Sequence, residues 1–277
     1  MFSKEYSRYK KRISISIVLL ILLVSVIASI PLQVRSDSTT VLFNDGFESG
    51  SFSAWTGVKD LSPTIVSDAA HCGSYAAFCN ETGIRVCYKE VAPTNHLFIR
   101  AYYKFGPMPT EWTNRGLGYF VEDNMIEILA MFEIARYTGS NYVWKIEALN
   151  GTALKIVDSP IFSLDANHWY CMELEMLING SVGYTKLSVD NVLAVSLEGV
   201  DNDFYGPIGR AGAGSVWENT TNEPIWWDCC VIGDSYIGLD ASVPEIQTLF
   251  FLPILMAATL LVAFTLRRKQ NTKTQKT

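Results

Sequence analysis

The chain has 277 residues, a net charge of −6 and 49% hydrophobic residues. Residues 36–243 carry 11 Lys and Arg against 26 Asp and Glu, a net charge of −15, whereas both ends of the chain are basic. So acidic a middle region repels phosphate backbones and polyanionic glycans. Nucleic acid is therefore excluded as a partner, while divalent cations and neutral saccharides stay compatible.

An uncharged segment, residues 13–34, follows the basic residues Lys10, Lys11 and Arg12. Its apolar centre is long enough to cross a hydrocarbon core of about 30 Å as a helix. A basic leader before such a segment is typical of a secretory signal and of an uncleaved anchor. Residues 1–35 are therefore predicted to be a signal peptide or an N-terminal transmembrane anchor, and both alternatives stay open.

A second uncharged apolar segment, residues 248–266, is closed by three basic residues at 267–269. Positive residues flanking a span favour the cytoplasmic side. Residues 244–277 are therefore predicted to be a C-terminal transmembrane anchor with a basic cytoplasmic tail. This topology places residues 36–243 outside the cell, as the extracellular domain of a cell-membrane protein.

All six cysteines lie in this middle region, in a compartment where disulfides persist. Up to three bridges are expected, and the adjacent Cys229 and Cys230 should point to opposite faces of a strand and take different partners. No C-x-x-C motif occurs, and the three histidines lack the spacing of zinc sites, so a structural zinc is not predicted. The predicted disulfide cysteines are Cys72, Cys79, Cys87, Cys171, Cys229 and Cys230.

Four Asn-x-Ser/Thr sequons also fall in the middle region, three of them at predicted turns. A glycan can be accommodated at a turn on the outside of the membrane. The predicted glycosylation sites are Asn80, Asn150, Asn179 and Asn219.

Short alternating runs separated by Gly, Asn, Asp and Pro dominate residues 36–243 and predict an all-β domain. In residues 97–105 the odd positions are apolar, and residues 126–134, 142–147 and 169–176 alternate in the same way, with charged residues on their wetter faces. Asn179-Gly180 predicts a hairpin turn. About a dozen strands in some 200 residues favour one two-sheet antiparallel sandwich between two hydrophobic helices.

Three stretches resemble the concanavalin A-like lectin/glucanase jelly roll, a laminin G-like superfamily, across residues 41–239. They are Phe43 to Trp55, which is similar to an opening strand and turn; His168 to Ala194, with Asn191 where Gly is usual; and Ile225 to Gly233, which is similar to a closing strand that returns beside the first. The resemblance implies the sandwich fold. It does not select an activity, because this fold carries lectins, hydrolases, lyases and adhesion modules.

Many members of this family hold a structural calcium ion between the first and last strands, and Asp45, Glu48 and Asp228 stand at the matching positions. A backbone carbonyl near Gly73 is an extra ligand by the same resemblance, and oxygen ligands suit a hard cation. The alternative is that Asp45 and Glu48 are turn residues and that Asp228 is a hydrogen-bonded acid.

The C-terminal tail resembles the sorting signals of archaeosortase or exosortase enzymes, through Pro244-Glu245-Ile246, the apolar segment and the final basic residues. Ile246 stands where an aromatic residue is usual, so an ordinary single-pass anchor is the alternative.

Catalytic motifs are sparse. A glycoside hydrolase needs two carboxylates beside a groove, and Glu173 and Glu175 share a strand face as in the Glu-x-Asp-x-Glu signature of family glucanases, but Leu177 occupies the third acidic position. A lyase would use basic residues and a tyrosine such as Arg100, Tyr102 and Lys104.

Binding is easier to support than catalysis, because sugars stack on exposed aromatic rings while polar groups take their hydroxyls. The loop 106–118 is the predicted rim of such a site. The sequence therefore predicts a non-catalytic surface module that binds carbohydrate or a surface protein, with a glycoside hydrolase or lyase and a structural or adhesive protein as alternatives. The predicted ligand-binding residues are Arg100, Tyr102, Trp112, Tyr119 and Trp169.

Overall fold

A computed structural model describes residues 40–80, 83–106, 114–124, 127–166, 168–217 and 224–239. These residues form strands and turns, and within them no helix is long and apolar enough to cross a membrane. Both predicted hydrophobic segments, and with them the choice between signal peptide, anchor and sorting signal, lie outside the described residues.

Sixteen strands build the described part of the chain, more than the dozen predicted. They are β1 Val41–Asp45, β2 Gly57–Asp60, β3 Thr64–Val66, β4 Ala76–Cys79, β5 Arg85–Thr94, β6 His96–Phe105, β7 Asn114–Glu122, β8 Ile128–Thr138, β9 Asn141–Asn150, β10 Ala153–Asp158, β11 Phe162–Ser163, β12 Tyr170–Leu177, β13 Gly183–Val189, β14 Val192–Val200, β15 Ile208–Trp217 and β16 Ile225–Gly233.

The strands form two antiparallel sheets of eight, which confirms the prediction of a two-sheet sandwich of the jelly-roll type. The first sheet has the order β14-β13-β12-β6-β16-β4-β3, and β1 pairs with β16. The second sheet has the order β10-β9-β8-β7-β15-β5-β2, and β11 pairs with β9. The predicted return of the closing strand beside the opening strand is thereby confirmed, since Asp45 lies opposite Cys230.

The alternating residues of the predicted strands supply the core between the sheets. All five odd positions of β6 from Leu97 to Phe105 are buried there, as are the even positions of β12 from Tyr170 to Met176. Burying such side chains contributes about 1.5–3 kcal/mol each. The alternation shifts at the start of β8, where the β7–β8 register is interrupted, so Leu129 joins the core while Ile128 packs on the outer face.

Tight turns fix the registers of the sheets. Asp190 and Asn191, at the β13–β14 turn, have φ of 51° and 65°. Two consecutive residues with positive φ are the mark of a type I′ hairpin turn, in which Asn is tolerated in place of Gly. At the domain edge, the Thr40 N–H donates to Asp234 Oδ1 (3.0 Å), so the first described residue lies next to the end of the last strand.

Candidate functional site

The predicted calcium ligands Asp45 and Glu48 act as hydrogen-bond acceptors for the protein itself. Asp45 accepts from the Phe47 N–H (3.0 Å) and from Trp55 Nε1 (2.7 Å). Glu48 Oε1 accepts from the N–H groups of residues 74 and 75 (2.8 and 2.9 Å), and a side chain at Gly73 would collide with its carboxylate. Both residues border a cavity of about 440 Å³.

Asp228, the third predicted calcium ligand, is fully buried. Its Oδ2 accepts from the N–H groups of His71 (2.8 Å) and Cys72 (2.9 Å), and its Oδ1 accepts from the Cys229 N–H (2.6 Å). Burial raises the pKa of Asp228 to about 6, with nearby Glu48 adding to the rise, although the three hydrogen bonds oppose it.

The hard oxygen donors of these three carboxylates suit calcium chemically. Within the described residues, however, they do not come close enough together to form a compact three-ligand group. Their observed role is to tie the loop around residue 72 and the turn after β1 to the last strand.

The predicted ligand-binding residues are split between the two outer faces. Arg100, Tyr102 and Trp169 lie on the outer face of the first sheet, where Tyr102 and Trp169 pack beside Cys171 and Cys229. Tyr119 lies on the outer face of the second sheet, and Trp112 falls outside the described residues, as does most of the predicted rim loop.

The expectation that these side chains are accessible is wrong for three of them, since Arg100, Tyr102 and Tyr119 are at most 5% exposed. These three residues lie on strand faces that carry polar residues in the sequence, but their side chains are buried in the folded chain. Trp169 is half-buried and keeps some accessible ring surface.

Glu173 and Glu175 share the outer face of the first sheet, as predicted, but have separate environments. Glu173 accepts from the N–H groups of Ile237 (3.0 Å) and Gly238 (2.7 Å), and burial raises its pKa. Glu175 accepts from the Tyr184 hydroxyl (2.6 Å) and lies 3.0 Å from His96 Nε2. Although burial opposes it, these hydrogen bonds hold the pKa of Glu175 below its usual value.

The residues around Glu173 explain why it is buried. The segment after β16 runs across the outer face of the first sheet, and Arg100 donates to the carbonyls of Gly238 (2.9 Å) and Cys229 (3.3 Å). Arg100 also lies opposite Glu173 in the β6–β12 register. This pair therefore fastens the end of the domain to the sheet.

The structure has one disulfide, Cys72–Cys229, which is within the expected limit of three, but the prediction that Cys79, Cys87, Cys171 and Cys230 also form disulfides is wrong. Cys230 points into the core while Cys229 points outward, so the predicted divergence of the adjacent pair is confirmed. The other four cysteines are buried thiols that pack as small apolar side chains. Burial raises the pKa of Cys171 to about 12, which makes it a poor nucleophile.

The described sequon asparagines lie at the ends of strands and in turns. Asn80 is exposed after β4, Asn150 accepts from the Asp201 N–H (3.0 Å), and Asn179 accepts from the N–H groups of residues 181 and 182. Asn219 falls outside the described residues. Glycosylation of these sites stays a prediction.

A polar group that the sequence analysis did not single out lies on the outer face of the second sheet. We call Asn114, Glu133, Lys145 and Glu147 the Glu133 cluster. The β8–β9 hairpin sets Glu133 opposite Lys145 and Met131 opposite Glu147, and β7 brings Asn114 alongside. The charged positions of the alternating runs 126–134 and 142–147 were the available signal, but the register that joins them comes from the turn.

Glu133 is the centre of this cluster and is fully buried. Its Oε2 accepts from Asn114 Nδ2 (2.9 Å) and lies 3.6 Å from Lys145 Nζ. Its Oε1 is buried and has no hydrogen-bond partner among the residues that the structure describes. Leaving such a group unsatisfied costs about 1–3 kcal/mol, or more when it is charged, so a further hydrogen-bond donor would stabilise the cluster.

Glu147 lies diagonally from Glu133 on the neighbouring strand. Burial raises its pKa, Glu133 raises it further, and Lys145 opposes the rise. The cluster therefore holds two carboxylates beside one ammonium group.

A cavity of about 210 Å³ opens next to the cluster, bordered by Asn114, Lys145, Asp158 and the exposed Tyr137. Farther along the same face, Arg210 lies 4.0 Å from the ring centroid of Tyr88 and 3.2 Å from Glu90. This outer face thus combines a polar cavity with a partly exposed aromatic ring.

No protein-family model and no curated protein matches this chain. Solved structures with a similar fold include an endo-β-1,4-glucuronan lyase from the fungus Trichoderma reesei, with 13% identity and a TM-score of 0.53, covering 71% of this chain and 96% of that one.

Two further structures are as similar. The cellulose induced protein Cip1 has 17% identity and a TM-score of 0.52, covering 71% of this chain and 99% of that one. A carbohydrate esterase from the Shiga toxin-encoding bacteriophage phi24B has 15% identity and a TM-score of 0.51, covering 72% and 100%. At these identities the likeness shows the fold: the chain contains a β-sandwich of the kind that these three proteins share.

Proposed function

We propose that this chain is a membrane-anchored cell-surface module that binds carbohydrate, and that its ligand site is the Glu133 cluster with the adjoining 210 Å³ cavity. The observation that carries the proposal is the buried Oε1 atom of Glu133, for which the described part of the chain offers no hydrogen-bond partner. A ligand hydroxyl that donates to this atom would satisfy it and would form a charge-assisted hydrogen bond.

The remaining groups suit a saccharide. Asn114 and Lys145, which border the cavity, donate to sugar oxygens, the cavity residue Asp158 accepts from hydroxyls, and Tyr137 offers an exposed ring beside the same cavity. The cavity is smaller than the roughly 300–1,000 Å³ of sites for drug-sized ligands, which favours a single sugar or the end of a chain.

The charge of the domain narrows the ligand class. With a net charge of −15 over residues 36–243, long-range repulsion disfavours polymers of uronic acids or sulfated sugars. The proposed ligand is therefore a neutral saccharide.

The test is a glycan array with the full chain in a mild detergent. We expect saturable binding that falls by about tenfold or more in Glu133→Gln, a loss of about 1.4 kcal/mol. Glu90→Gln is the matched control, because Glu90 is an exposed carboxylate on the same face. A silent array from folded protein contradicts the proposal and favours a protein partner or a structural role.

One observation favours a second function, glycoside hydrolysis. Glu147, whose pKa is raised, is suited to act as a general acid, and the neighbouring Glu133 to act as base or nucleophile. This hypothesis predicts that the wild type releases reducing sugar from a polysaccharide and that Glu147→Gln does not. A Glu147→Gln variant that binds glycan normally, together with a wild type that releases no sugar, supports the binding function instead.

The anchors and the calcium ion remain part of the proposal. The hydrogen-bonded pair Thr40 and Asp234 places the two ends of the domain side by side, which suits attachment to one membrane. Calcium bound at Asp45, Glu48 and Asp228 would require these carboxylates to move closer together, and it would then relieve the repulsion by Glu48 that adds to the raised pKa of Asp228.

A further inference from the structure

A second chemical site surrounds the disulfide on the outer face of the first sheet. Among the described residues, His71, Cys72 and Cys229 form the one compact group of potential metal ligands, with all ligand atoms within 4.8 Å of one another. His71 Nδ1 lies 3.5 Å from Cys72 Sγ and 3.5 Å from Cys229 Sγ. One imidazole nitrogen therefore faces both sulfur atoms.

The backbone is bent to make this arrangement. Cys229 has a φ of 50° and sits where the β6–β16 register is interrupted, so the strand turns the Cys229 side chain outward. Asp228 holds the bend, since its two carboxylate oxygens accept from the N–H groups of all three residues of the site. A bulge with a strained non-glycine residue is a common device for aiming a side chain at a functional site.

The imidazole is held in place by aromatic neighbours. The His71 ring stacks on Tyr102, with a centroid distance of 3.7 Å and an interplanar angle of 16°, and it meets Trp169 edge-on at 5.7 Å. The orientation of the nitrogen toward the sulfurs is thus built into the packing.

The distances match the geometry of tetrahedral zinc. With Zn–S near 2.3 Å and Zn–N near 2.0–2.1 Å, a sulfur and a nitrogen ligand of one ion lie about 3.6 Å apart. The two observed nitrogen–sulfur distances agree with this value, and only the two sulfurs, joined in the disulfide, must separate for an ion to enter.

We propose that Cys72, Cys229 and His71 form a redox-gated site for Zn²⁺, closed as a disulfide when oxidised and open to the ion when reduced. A dithiol reductant transfers two electrons and two protons to the disulfide, whose S–S bond breaks, and itself becomes a disulfide. Zn²⁺ then displaces the two thiol protons to solvent and binds two thiolates and the neutral imidazole.

Charge balance favours this ion. Two thiolates neutralise Zn²⁺, so the bound site adds no net charge beside the buried carboxylate of Asp228. Three protein ligands leave a fourth position for water or a ligand, the arrangement found in catalytic zinc sites. Spacing rules miss this site, since its cysteines are 157 residues apart in the chain.

The test uses the full chain in a mild detergent, reduced with a phosphine and titrated with Co²⁺ as a spectroscopic substitute for Zn²⁺. We expect one ion per reduced chain, with sulfur-to-cobalt charge-transfer absorption that Zn²⁺ displaces. The oxidised protein should show no such absorption, and Cys72→Ser or Cys229→Ser should abolish it.

Variants separate binding from folding. His71→Phe keeps a ring against Tyr102 but removes the nitrogen, and should weaken Co²⁺ binding by about 100-fold or more, since loss of even an outer-shell partner costs ~10–100-fold. His168→Phe and Cys87→Ser are matched controls outside the group and should bind normally. Because the reduced wild type also lacks the cross-link, it is the proper reference for the serine variants.

Three outcomes overturn the proposal: no charge-transfer absorption in the reduced wild type, unchanged absorption in the Cys72→Ser/Cys229→Ser double variant, or unfolding of the protein on reduction.

Discussion

The two outer faces of the sandwich have similar sequence patterns, but their buried polar side chains differ in how they are hydrogen-bonded. On the first sheet both carboxylate oxygens of Glu173 accept from the chain segment after β16, and two nitrogens of Arg100 donate to backbone carbonyls. On the second sheet the carboxylate of Glu133 is just as deeply buried, but one of its oxygens has no hydrogen-bond partner within the described ranges of the chain. A buried polar group that the backbone hydrogen-bonds stabilises the fold, whereas an unsatisfied one needs a further partner, which the proposed function supplies as a ligand hydroxyl.

The largest effect on the free energy of unfolding is expected when the hydrogen bonds of Arg100 on the outer face of the first sheet are removed. Arg100→Met removes the donor to two carbonyls and the charge opposite Glu173, so the free energy of unfolding should fall by about 3 kcal/mol. Arg210→Met, on the second face, breaks a partly exposed pair with Glu90 and should cost less than about 1 kcal/mol. Urea denaturation followed by tryptophan fluorescence measures the free energy of unfolding of both variants. Equal decreases in the two variants would contradict the difference expected between the two faces.

The next effect is a pH dependence carried by Asp228. Because its pKa in the folded protein is raised to about 6 from an ordinary 3.8, the folded state favours the protonated form. Its contribution to stability is therefore present below about pH 4 and is lost as the pH rises to about 6, by roughly 3 kcal/mol at most.

Asp228→Asn should remove this fall in the free energy of unfolding between pH 4 and 7. Saturating Ca²⁺ should also flatten it in the wild type, since a bound cation favours the carboxylate. A wild-type profile that Ca²⁺ leaves unchanged would count against calcium at this site.

A smaller change in stability is expected on the second face. Glu133→Gln replaces a buried carboxylate that is only half satisfied, so the free energy of unfolding should change by less than about 1 kcal/mol while glycan binding falls by about tenfold or more. Calorimetry and a binding titration on the same sample test this. A large loss of stability would assign Glu133 a structural role like that of Glu173.

The smallest effect belongs to His96 and Glu175, a half-exposed pair on the first face. His96→Gln should lower the free energy of unfolding by less than about 1 kcal/mol. The lowered pKa of Glu175 adds stability above its ordinary titration range, and this is lost as the pH falls through the folded pKa. Acid unfolding at the same pH in wild type and in Glu175→Gln would contradict this contribution.

Much of the fold was predictable because alternation is a local property. The inward positions of β6, β9 and β12, the hairpin after Leu177 and the pairing of the first and last strands all follow from residue pattern or resemblance. The candidate site was harder to predict from the sequence. Glu133 and Lys145 have the pattern of solvated charges on separate strands, and only the β8–β9 register shows that they are neighbours.

The pairing of the cysteines was also hard to predict from the sequence. Their number and compartment suggested as many as three bridges, but Cys87 and Cys230 point into the apolar core, where a thiol packs as well as any small side chain. The ligand residues chosen for their aromatic character, Tyr102 and Tyr119, proved to be buried.

By itself, the sequence determined the all-β sandwich and the faces of its principal strands, because hydrophobic periodicity and turn residues act over a few positions. The tertiary structure alone decided which polar residues are satisfied, which cysteines pair and which side chains meet, such as His71 with Cys229 across 158 positions. Those contacts depend on strand order, register and a single bulge, which no short stretch of sequence specifies.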